Sequence, residues 1–422
     1  NPLDLDEFVS ISQLSDTWLQ RAGVYDGVQK VGLNVREFIQ SAMVGGRVMT
    51  RNNKKKYVIG FIQDFDAVSL YPSSMVRLGG YLKGKAKLLK TLDYHKFKHY
   101  DGYFVEIVID KVQKPYAFPL ASFKTDKGTR HWSNNLMGKR MVVDKTTLED
   151  LIEFQKIEYT VIRGYYYDEG RNYALRNIIT YLFEQRAAAK KLKNPIEKTL
   201  KLILNSAYGK TLLKAHETES KHVKQKDLEK HVLKHYNHIK DFYPLNNNQW
   251  KVNHYKSVDN HFNNAHCGVE VLSTSKRIMN EVMCLAEDKG LELYYQDTDS
   301  IHLAAADVDV LASAFKLKYG RELIGKGLGQ FHCDFDSDII DKEKGIHATE
   351  CVFLGKKVYC DKLEGLDKDG NKVVDYHSRL KSVSNDAIKY EAAKRNMTQL
   401  DLYKGLYCDK SITGKKNIEH ID

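Results

Sequence analysis

Residues 291–304 read Leu-Glu-Leu-Tyr-Tyr-Gln-Asp-Thr-Asp-Ser-Ile-His-Leu-Ala, and no other stretch says more about the fold. Apolar residues alternate before and after Asp297 and Asp299, which predicts two strands joined by a tight turn. Side chains two residues apart on a strand point to the same side, so the two carboxylates can share hard cations. We interpret the stretch as a metal-binding hairpin, which favours nucleotidyl transfer.

A third carboxylate comes from Asp66. Residues 57–62 are rich in β-branched and aromatic side chains and predict a strand that delivers Asp66 just before residues 68–72. Two divalent cations about 3.5–4 Å apart clamp the attacking and leaving oxygens of an in-line phosphoryl transfer. We therefore expect Asp66, Asp297 and Asp299 to form one catalytic site.

A helix is predicted within residues 194–209. Asn194 at the N-cap, Pro195 in the first turn and Glu197 three residues after the cap form a capping-box pattern. Gly209 can end the helix. The pattern predicts that the Glu197 side chain reaches back to the cap.

One face of this helix carries Lys201, Asn205 and Tyr208, at positions i, i+4 and i+7. Lysine binds phosphate well, and an amide and an aromatic ring on the same stripe suit a nucleoside triphosphate and a base pair. The preceding segment predicts an antiparallel helix with Arg186 and Lys190 four residues apart. Both of these cations can face incoming phosphates.

Five stretches resemble motifs of the family B DNA polymerases, and the three main ones follow the family's order. Residues 66–72 are similar to Asp-x-x-Ser-Leu-Tyr-Pro, residues 201–209 to Lys-x-x-x-Asn-Ser-x-Tyr-Gly, and residues 297–300 to Asp-Thr-Asp-Ser. Residues 357–359 resemble the Lys-x-Tyr motif at the primer end. Residues 45–46 resemble the glycine pair of the linker in protein-primed members, which are of phage, linear-plasmid, viral or mobile-element type.

The resemblance implies an α+β fold, a right-hand polymerase with an antiparallel-sheet palm, helical-hairpin fingers and a thumb. It implies six segments: 1–50, the remnant of an upstream exonuclease domain and its linker; 51–170, palm with a first insertion like the terminal-protein region; 171–212, fingers; 213–262, a second insertion like the processivity and strand-displacement hairpin; 263–344, palm; and 345–422, thumb. We expect no exonuclease domain in this chain, because roughly 40 residues precede the linker glycines.

Roles for individual residues also follow from the resemblance. Asp66, Asp299 and the main-chain carbonyl of Ala67 are expected to hold two Mg²⁺ ions, which Mn²⁺ can replace. Tyr71 resembles the steric gate that excludes a ribose 2′-hydroxyl. The expected nucleotide-binding residues are Ser69, Leu70, Tyr71, Arg186, Lys190, Lys201, Asn205 and Tyr208. The expected DNA-binding residues are Gly45, Gly46, Gly209, Thr298, Lys357, Tyr359 and Lys381.

Residues 210–266 are rich in Lys, His and Asn and poor in apolar residues, which suits a protruding insertion. His231, His235 and His238 fall at i, i+4 and i+7 within it. We interpret them as the solvated face of a basic helix rather than a metal site, because no Cys or acidic partner lies at ligand spacing.

Composition agrees with these expectations. The 422 residues carry a net charge of +11, which favours a polyanionic partner through counterion release. Six cysteines without a Cys-x-x-Cys pair favour a reduced intracellular setting and no structural zinc. No apolar run in the sequence is long enough to span a bilayer. We expect a soluble monomer at a viral or mobile-element replication site in a host.

The expected partners are primer-template DNA, deoxynucleoside triphosphates and a terminal protein, whose hydroxyl is a candidate first primer. Two alternatives stay open. An RNA-primed family B replicase would lack the linker glycines and the second insertion. An inactive polymerase-like module that only binds DNA would lack at least one of the three carboxylates, and all three are present.

Overall fold

The computed structural model of the chain describes residues 10–212, 218–256 and 264–411. Parts of the predicted exonuclease remnant, second insertion and thumb lie outside these ranges. Within them, the α-helices are α1 (Ile11–Arg21), α2 (Leu33–Ser41), α3 (Leu70–Leu78), α4 (Tyr94–Phe97), α5 (Lys145–Gln155), α6 (Ala174–Lys191), α7 (Ile196–Ser206), α8 (Leu228–His235), α9 (Ala265–Asp288), α10 (Asp307–Tyr319), α11 (Asn385–Lys394) and α12 (Gln399–Tyr407).

The strands of the described residues are β1 (Val48–Thr50), β2 (Lys56–Ala67), β3 (Tyr81–Leu82), β4 (Lys87–Leu88), β5 (Gly102–Val112), β6 (Ser122–Lys124), β7 (Arg130–Trp132), β8 (Arg140–Asp144), β9 (Ile157–Tyr167), β10 (Arg171–Asn172), β11 (Thr218–Lys224), β12 (Ile239–Asn246), β13 (Gln249–Tyr255), β14 (Leu293–Asp297), β15 (Ser300–Ala304), β16 (Phe331–Cys333), β17 (Ile346–Gly355), β18 (Val358–Leu366) and β19 (Lys372–Leu380). The mixture of helices with antiparallel sheets confirms the predicted α+β class.

The largest sheet has the strand order β1-β14-β15-β2-β17-β18-β19, and β16 pairs with the end of β2. The long strand β2 belongs to both halves of this sheet: its first half pairs with β17 and its second half with β15. Phe65, Ile301 and Leu303 are fully buried, in one core with Val282 and Met283 of α9. The predicted hairpin and the strand leading to Asp66 are therefore adjacent in space, although they lie far apart in sequence.

Helix α9 is the centre of the molecule, and nearly all of its residues are buried. It contacts α2, α3, α5 and α10, so apolar and small residues are found all around it. A second sheet, of order β4-β9-β5-β8, packs with α5 beside it. This central position lets one helix support the strands that carry the acidic residues.

Helices α6 and α7 form the antiparallel hairpin that the sequence predicts, and Arg186 and Lys190 lie on α6 as expected. The Asn194 side chain accepts a hydrogen bond from the Ile196 N–H at 3.0 Å, as a capping residue does. The predicted role of Glu197 in a capping box is wrong. Glu197 does not reach back to the cap, because its carboxylate accepts a hydrogen bond from Arg186 of α6 instead.

Residues 218–256, within the predicted second insertion, contain a separate three-stranded sheet of order β11-β13-β12, with α8 beside it. His238 is exposed, as predicted. The prediction is wrong for His235, which is partly buried with its ring packed against those of His231 and His254. It is also wrong for His231, which is partly buried and lies with its Nε2 atom 2.9 Å from Nε2 of the buried His254. Burial lowers the pKa of both imidazoles, which favours neutral rings that can share a hydrogen bond.

The C-terminal strands β17, β18 and β19 form an antiparallel meander covered by α11 and α12. The Ser384 side chain accepts a hydrogen bond from the Ala387 N–H at 3.3 Å and so caps α11. Tyr403 of α12 donates a hydrogen bond to the carbonyl oxygen of Arg379 at 2.9 Å, which ties the helix to β19. No helix among the residues described is long and apolar enough to cross a membrane.

Candidate active site

The register between β15 of the hairpin and the neighbouring strand β2 brings two acidic side chains together. Asp66 pairs with Ser300 across β2 and β15, and the Ala67 N–H donates to the carbonyl oxygen of Asp299 at 2.9 Å. The hairpin turns at Thr298, whose φ of +63° lies in the left-handed region. Because of this tight turn and pairing, Asp66 and Asp299 are neighbours, and we refer to them as the carboxylate pair.

The carboxylate pair is electrostatically unfavourable when both members are ionised. Burial, the charge of Asp299 and the further charges of Asp334 and Asp64 raise the pKa of Asp66 to about 8, against an opposing effect of Lys201. Burial also raises the pKa of Asp299, which reaches about 6 with the charges of Asp297 and Asp64 nearby. Like charges in a partly buried site favour protonation or a bound cation.

Asp297 has a different environment from the carboxylate pair. The Lys357 Nζ donates to both of its carboxylate oxygens, at 2.8 and 3.1 Å. The Lys357 N–H donates to the Tyr295 hydroxyl at 2.9 Å. Asp297 therefore has a cation of its own from the turn between β17 and β18.

The donor set fits a hard cation at the carboxylate pair. No three His, Cys, Asp or Glu side chains in the described part of the chain are arranged to hold a metal ion together. Two half-buried carboxylates whose pKa values are raised by burial and by neighbouring acidic groups are, however, the kind of oxygen donors that Mg²⁺ binds while it keeps several waters. The expected sharing of cations by all three carboxylates stays a prediction.

The two predicted linker glycines lie behind the hairpin. A Cβ on Gly46 would lie 2.5 Å from Cγ2 of Thr298, whereas a Cβ on Gly45 would meet open space. Gly46 thus permits close approach of the linker to the turn, which is a packing role that the motif alone does not reveal. Gly45 is exposed, and contact of either glycine with DNA stays a prediction.

The sequence analysis did not identify Arg47, which is buried and forms hydrogen bonds with the hairpin. Its guanidinium donates to the Gln296 side chain and to the carbonyl oxygens of Phe118 and Pro119. Its own carbonyl accepts a hydrogen bond from the Thr298 N–H at 2.9 Å. Burial lowers the pKa of Arg47 to about 10, so the side chain stays a cation at neutral pH. Only its position beside the glycine pair could have drawn attention to it.

The predicted nucleotide-binding residues of the first motif follow the end of β2. Ser69 has a φ of +46°, which lets α3 begin immediately after it. The Tyr71 ring stacks on Tyr208 of the fingers segment, with ring centroids 4.6 Å apart. The Leu70 side chain is buried in the core, so only its main chain is available to a ligand.

The cations of the hairpin α6–α7 face the same region. Arg186 donates to the Ser69 hydroxyl at 3.1 Å and to the Glu197 carboxylate at 2.8 Å. The hydrogen bond from Arg186 and the nearby charges of Lys190 and Lys201 lower the pKa of Glu197. Glu197 therefore occupies the centre of the group of cations that the sequence assigns to the triphosphate.

The other predicted residues lie around this centre. Asn205 and Lys190 are exposed, and Gly209 begins a 3₁₀ turn after α7. Lys381 is exposed close to Lys356, whose pKa is lowered by burial and then by the charges of Lys381 and Arg130. Tyr359 is only 5% exposed and packs in the core, so its contact with a primer stays a prediction.

Two acidic residues near the site were also missed by sequence reasoning. Asp64 lies two residues before Asp66 on the same face of β2, and its charge raises the pKa values of both members of the carboxylate pair. Asp334 follows β16, which pairs with β2 opposite Asp66. An Asp-x-Asp spacing occurs at residues 64–66 and again at 334–336, and this repeated spacing is the signal that could have found them.

Comparison with known proteins places the chain in a family. A family model described as DNA polymerase type B, organellar and viral, matches residues 6–289, about two thirds of the chain. The match ends before the hairpin turn at residues 297–300. A comparison with curated proteins found no match.

Solved structures share the fold. The Phi29 DNA polymerase in an orthorhombic crystal form has a TM-score of 0.63 at 15% identity, covering 92% of this chain and 61% of that chain. Phi29 DNA polymerase complexed with primer-template DNA and incoming nucleotides has a TM-score of 0.62 at 15% identity, covering 93% and 62%. The chain thus spans about three fifths of the Phi29 enzyme's length. This likeness confirms the predicted right-hand fold.

Proposed function

Because the chain belongs to the type B DNA polymerases, organellar and viral, we propose that it adds deoxynucleotides to a primer 3′-hydroxyl under the direction of a DNA template. The observation that carries the proposal is the register between β2 and β15, which sets Asp66 beside Asp299 although 233 positions separate them in the chain. An inactive DNA-binding module has no need for two repelling carboxylates in a half-buried site.

The proposed reaction is an in-line phosphoryl transfer. The primer 3′-oxygen bonds to the α-phosphorus of the nucleotide as the bond to the bridging oxygen breaks and pyrophosphate leaves. When bound, two divalent cations lower the pKa of the primer hydroxyl and neutralise the triphosphate. Asp66 and Asp299 would hold them, with the main-chain carbonyl of Ala67 as a further oxygen ligand. Lys201 would stabilise negative charge on the departing pyrophosphate.

The aromatic pair suits recognition of a deoxynucleotide. Tyr71 and Tyr208 stack on each other at the junction of the palm and the fingers, where both rings are only partly buried. We propose that Tyr208 packs on the nascent base pair and that Tyr71 occupies the space of a ribose 2′-hydroxyl. Arg186, released from Glu197, would then bind the triphosphate together with Lys190 and Lys201.

The cations on the far side of the carboxylate pair suit a DNA backbone. Lys356, Lys381 and Arg130 lie close enough for their charges to interact, and Lys357 extends from the same turn. Such a cluster binds phosphates with little sequence preference. We propose that it holds the primer strand beside Asp66 and Asp299.

Primer extension tests the proposed activity. Wild-type protein with Mg²⁺, a primed DNA template and deoxynucleotides should give extended products, and Asp299→Asn should lower the rate about a hundredfold or more. Asp309→Asn is the matched control, because Asp309 lies exposed on α10 near the hairpin. Equal extension by wild type and Asp299→Asn would remove the catalytic assignment.

Protein priming is the narrower proposal, supported by the linker glycines and by the insertion that carries β11, β12 and β13. An RNA-primed replicase is the alternative. Supplying a terminal protein and one labelled deoxynucleotide without an oligonucleotide should yield a covalent protein–nucleotide product. Extension from an RNA primer without any such product would favour the alternative.

A further inference from the structure

Four ionisable side chains form a buried cluster beneath the carboxylate pair. His302 Nε2 lies 3.2 Å from Asp361 Oδ2, and His377 Nδ1 lies 3.3 Å from the same oxygen. His302 Nδ1 lies 3.6 Å from Asp64 Oδ1. The side chains of His302 and Asp361 are fully buried. We call these four residues the ionic bridge.

The ionic bridge joins two parts of the palm sheet that are not neighbours in strand order. His302 lies on β15 and Asp361 on β18, and β2 and β17 come between these strands in the sheet. Strands in a flat sheet are about 4.8 Å apart, so a direct contact between β15 and β18 requires the sheet to fold over on itself. The Tyr295 ring packs against Phe353 and Tyr359 across the same fold.

The charges in the ionic bridge are complementary. Burial alone lowers the pKa of His302, but Asp64 and Asp361 overcome that effect and raise it to about 9. Burial alone raises the pKa of Asp361, but His302 and His377 hold it well below its usual range. A buried imidazolium between two carboxylates compensates charges that would otherwise be costly to bury.

The turn between β17 and β18 lies at the start of the strand that carries Asp361. Lys357 is the last residue of this turn, four residues before Asp361, and has a φ of +57°. Its main-chain N–H donates to the Tyr295 hydroxyl, and its ammonium group donates to the Asp297 carboxylate. The two partners of Lys357 both lie on β14, which is paired with β15. The ionic bridge therefore holds β18, which Lys357 directly precedes, against β15 of the hairpin that carries Asp297 and Asp299.

We propose that His302 and Asp361 are positioning residues, which hold Lys357 beside the carboxylate pair and so set the affinity for the primer-template. This inference rests on the proposed polymerase function. The Lys357 side chain is exposed to solvent, which weakens its own ion pair. The ion pair between His302 and Asp361 is fully buried, where a lower dielectric makes it stronger, so it can hold the position of the turn. The two residues act through Lys357 and need not touch DNA.

The test measures primer-template affinity by fluorescence anisotropy in metal-free buffer, so that catalysis does not contribute. Asp361→Asn keeps the shape of the side chain and removes its charge, and we expect it to weaken binding about tenfold, within the range of coupling between contacting residues. In a Lys357→Met background, the same substitution should have no further effect. Asp375→Asn is the matched control and should bind like wild type, since Asp375 lies on β19, accepts a hydrogen bond from Ser337 and does not belong to the ionic bridge.

A second variant keeps the test decisive if Asp361→Asn does not fold. Tyr295→Phe removes only the hydroxyl that accepts from the Lys357 main chain, and its effect on binding should also vanish in the Lys357→Met background. Effects that persist undiminished without the Lys357 ammonium would overturn the proposal, as would unchanged binding by Asp361→Asn and Tyr295→Phe. If wild-type protein neither binds nor extends a primer-template, the proposed function fails instead.

Discussion

The carboxylate pair lies a few residues from Asp64 and His302 of the ionic bridge, along β2 and β15, yet charge is compensated in opposite ways in the two regions. The charge of Asp299 raises the pKa of Asp66, and the cations that oppose the two carboxylates, Lys201 for Asp66 and Lys357 for Asp299, come from other elements. Asp64 and Asp361, in contrast, share the buried His302. One sheet thus contains both a carboxylate pair that an added cation can neutralise and a pair of carboxylates that share a cation of the chain itself.

Removing the cation of the ionic bridge should have the largest effect on stability. His302→Leu leaves Asp64 and Asp361 buried without their shared partner, and we expect the free energy of unfolding to fall by about 3–5 kcal/mol. Urea denaturation measures it. Phe335→Leu is the control, because Phe335 packs on His302 but carries no charge. A loss no greater than that of the control would mean that His302 contributes by packing alone.

The pH dependence of stability should show that His302 is charged. Its pKa is raised from 6.5 to about 9, so its contribution is fully present below about pH 6.5 and is lost as the pH rises through 9. The groups that face it are Asp64, Asp361, Asp297 and His377. We expect a loss on the order of 3 kcal/mol at most, measured by urea denaturation at pH 6 and pH 9.5. A loss of the same size in His302→Gln would assign the effect to other groups.

Neutralising Asp66 of the carboxylate pair should change the free energy of unfolding by less than the loss of His302 does, and in the opposite direction. The raised pKa of Asp66 means that the folded state binds its proton more tightly, so stability falls as the pH rises from about 4 to 8. In metal-free buffer at pH 8, Asp66→Asn should therefore raise the free energy of unfolding by about 1 kcal/mol.

Addition of Mg²⁺ should stabilise the protein through the carboxylate pair. Adding Mg²⁺ should stabilise wild-type protein in a thermal melt and should stabilise Asp66→Asn less, because a ligand that binds only the folded state raises its stability. Asp309→Asn, at an exposed position, should respond like wild type. A loss of stability in metal-free Asp66→Asn would show that the two carboxylates do not repel each other as inferred.

The sequence predicted local structure well where a short pattern suffices. Alternating apolar residues located β2, β14 and β15, and the capping pattern at Asn194 and Pro195 located the start of α7 and the turn that separates it from α6. It was wrong about Glu197, because a capping pattern considers only one helix and the competing partner Arg186 lies on another. The surroundings of His231 were missed for the same reason, since His254 approaches it from a different strand.

By itself, the sequence determined the identity and order of the acidic, basic and aromatic motifs, because their chemistry and spacing are local properties of the chain. The tertiary structure alone decided which charges meet. It placed Asp66 opposite Ser300, gave Asp297 the ammonium of Lys357, and folded β18 over β15 so that His302 reaches Asp361. Strand register and sheet curvature arise from packing over the whole core, so no window of sequence contains them.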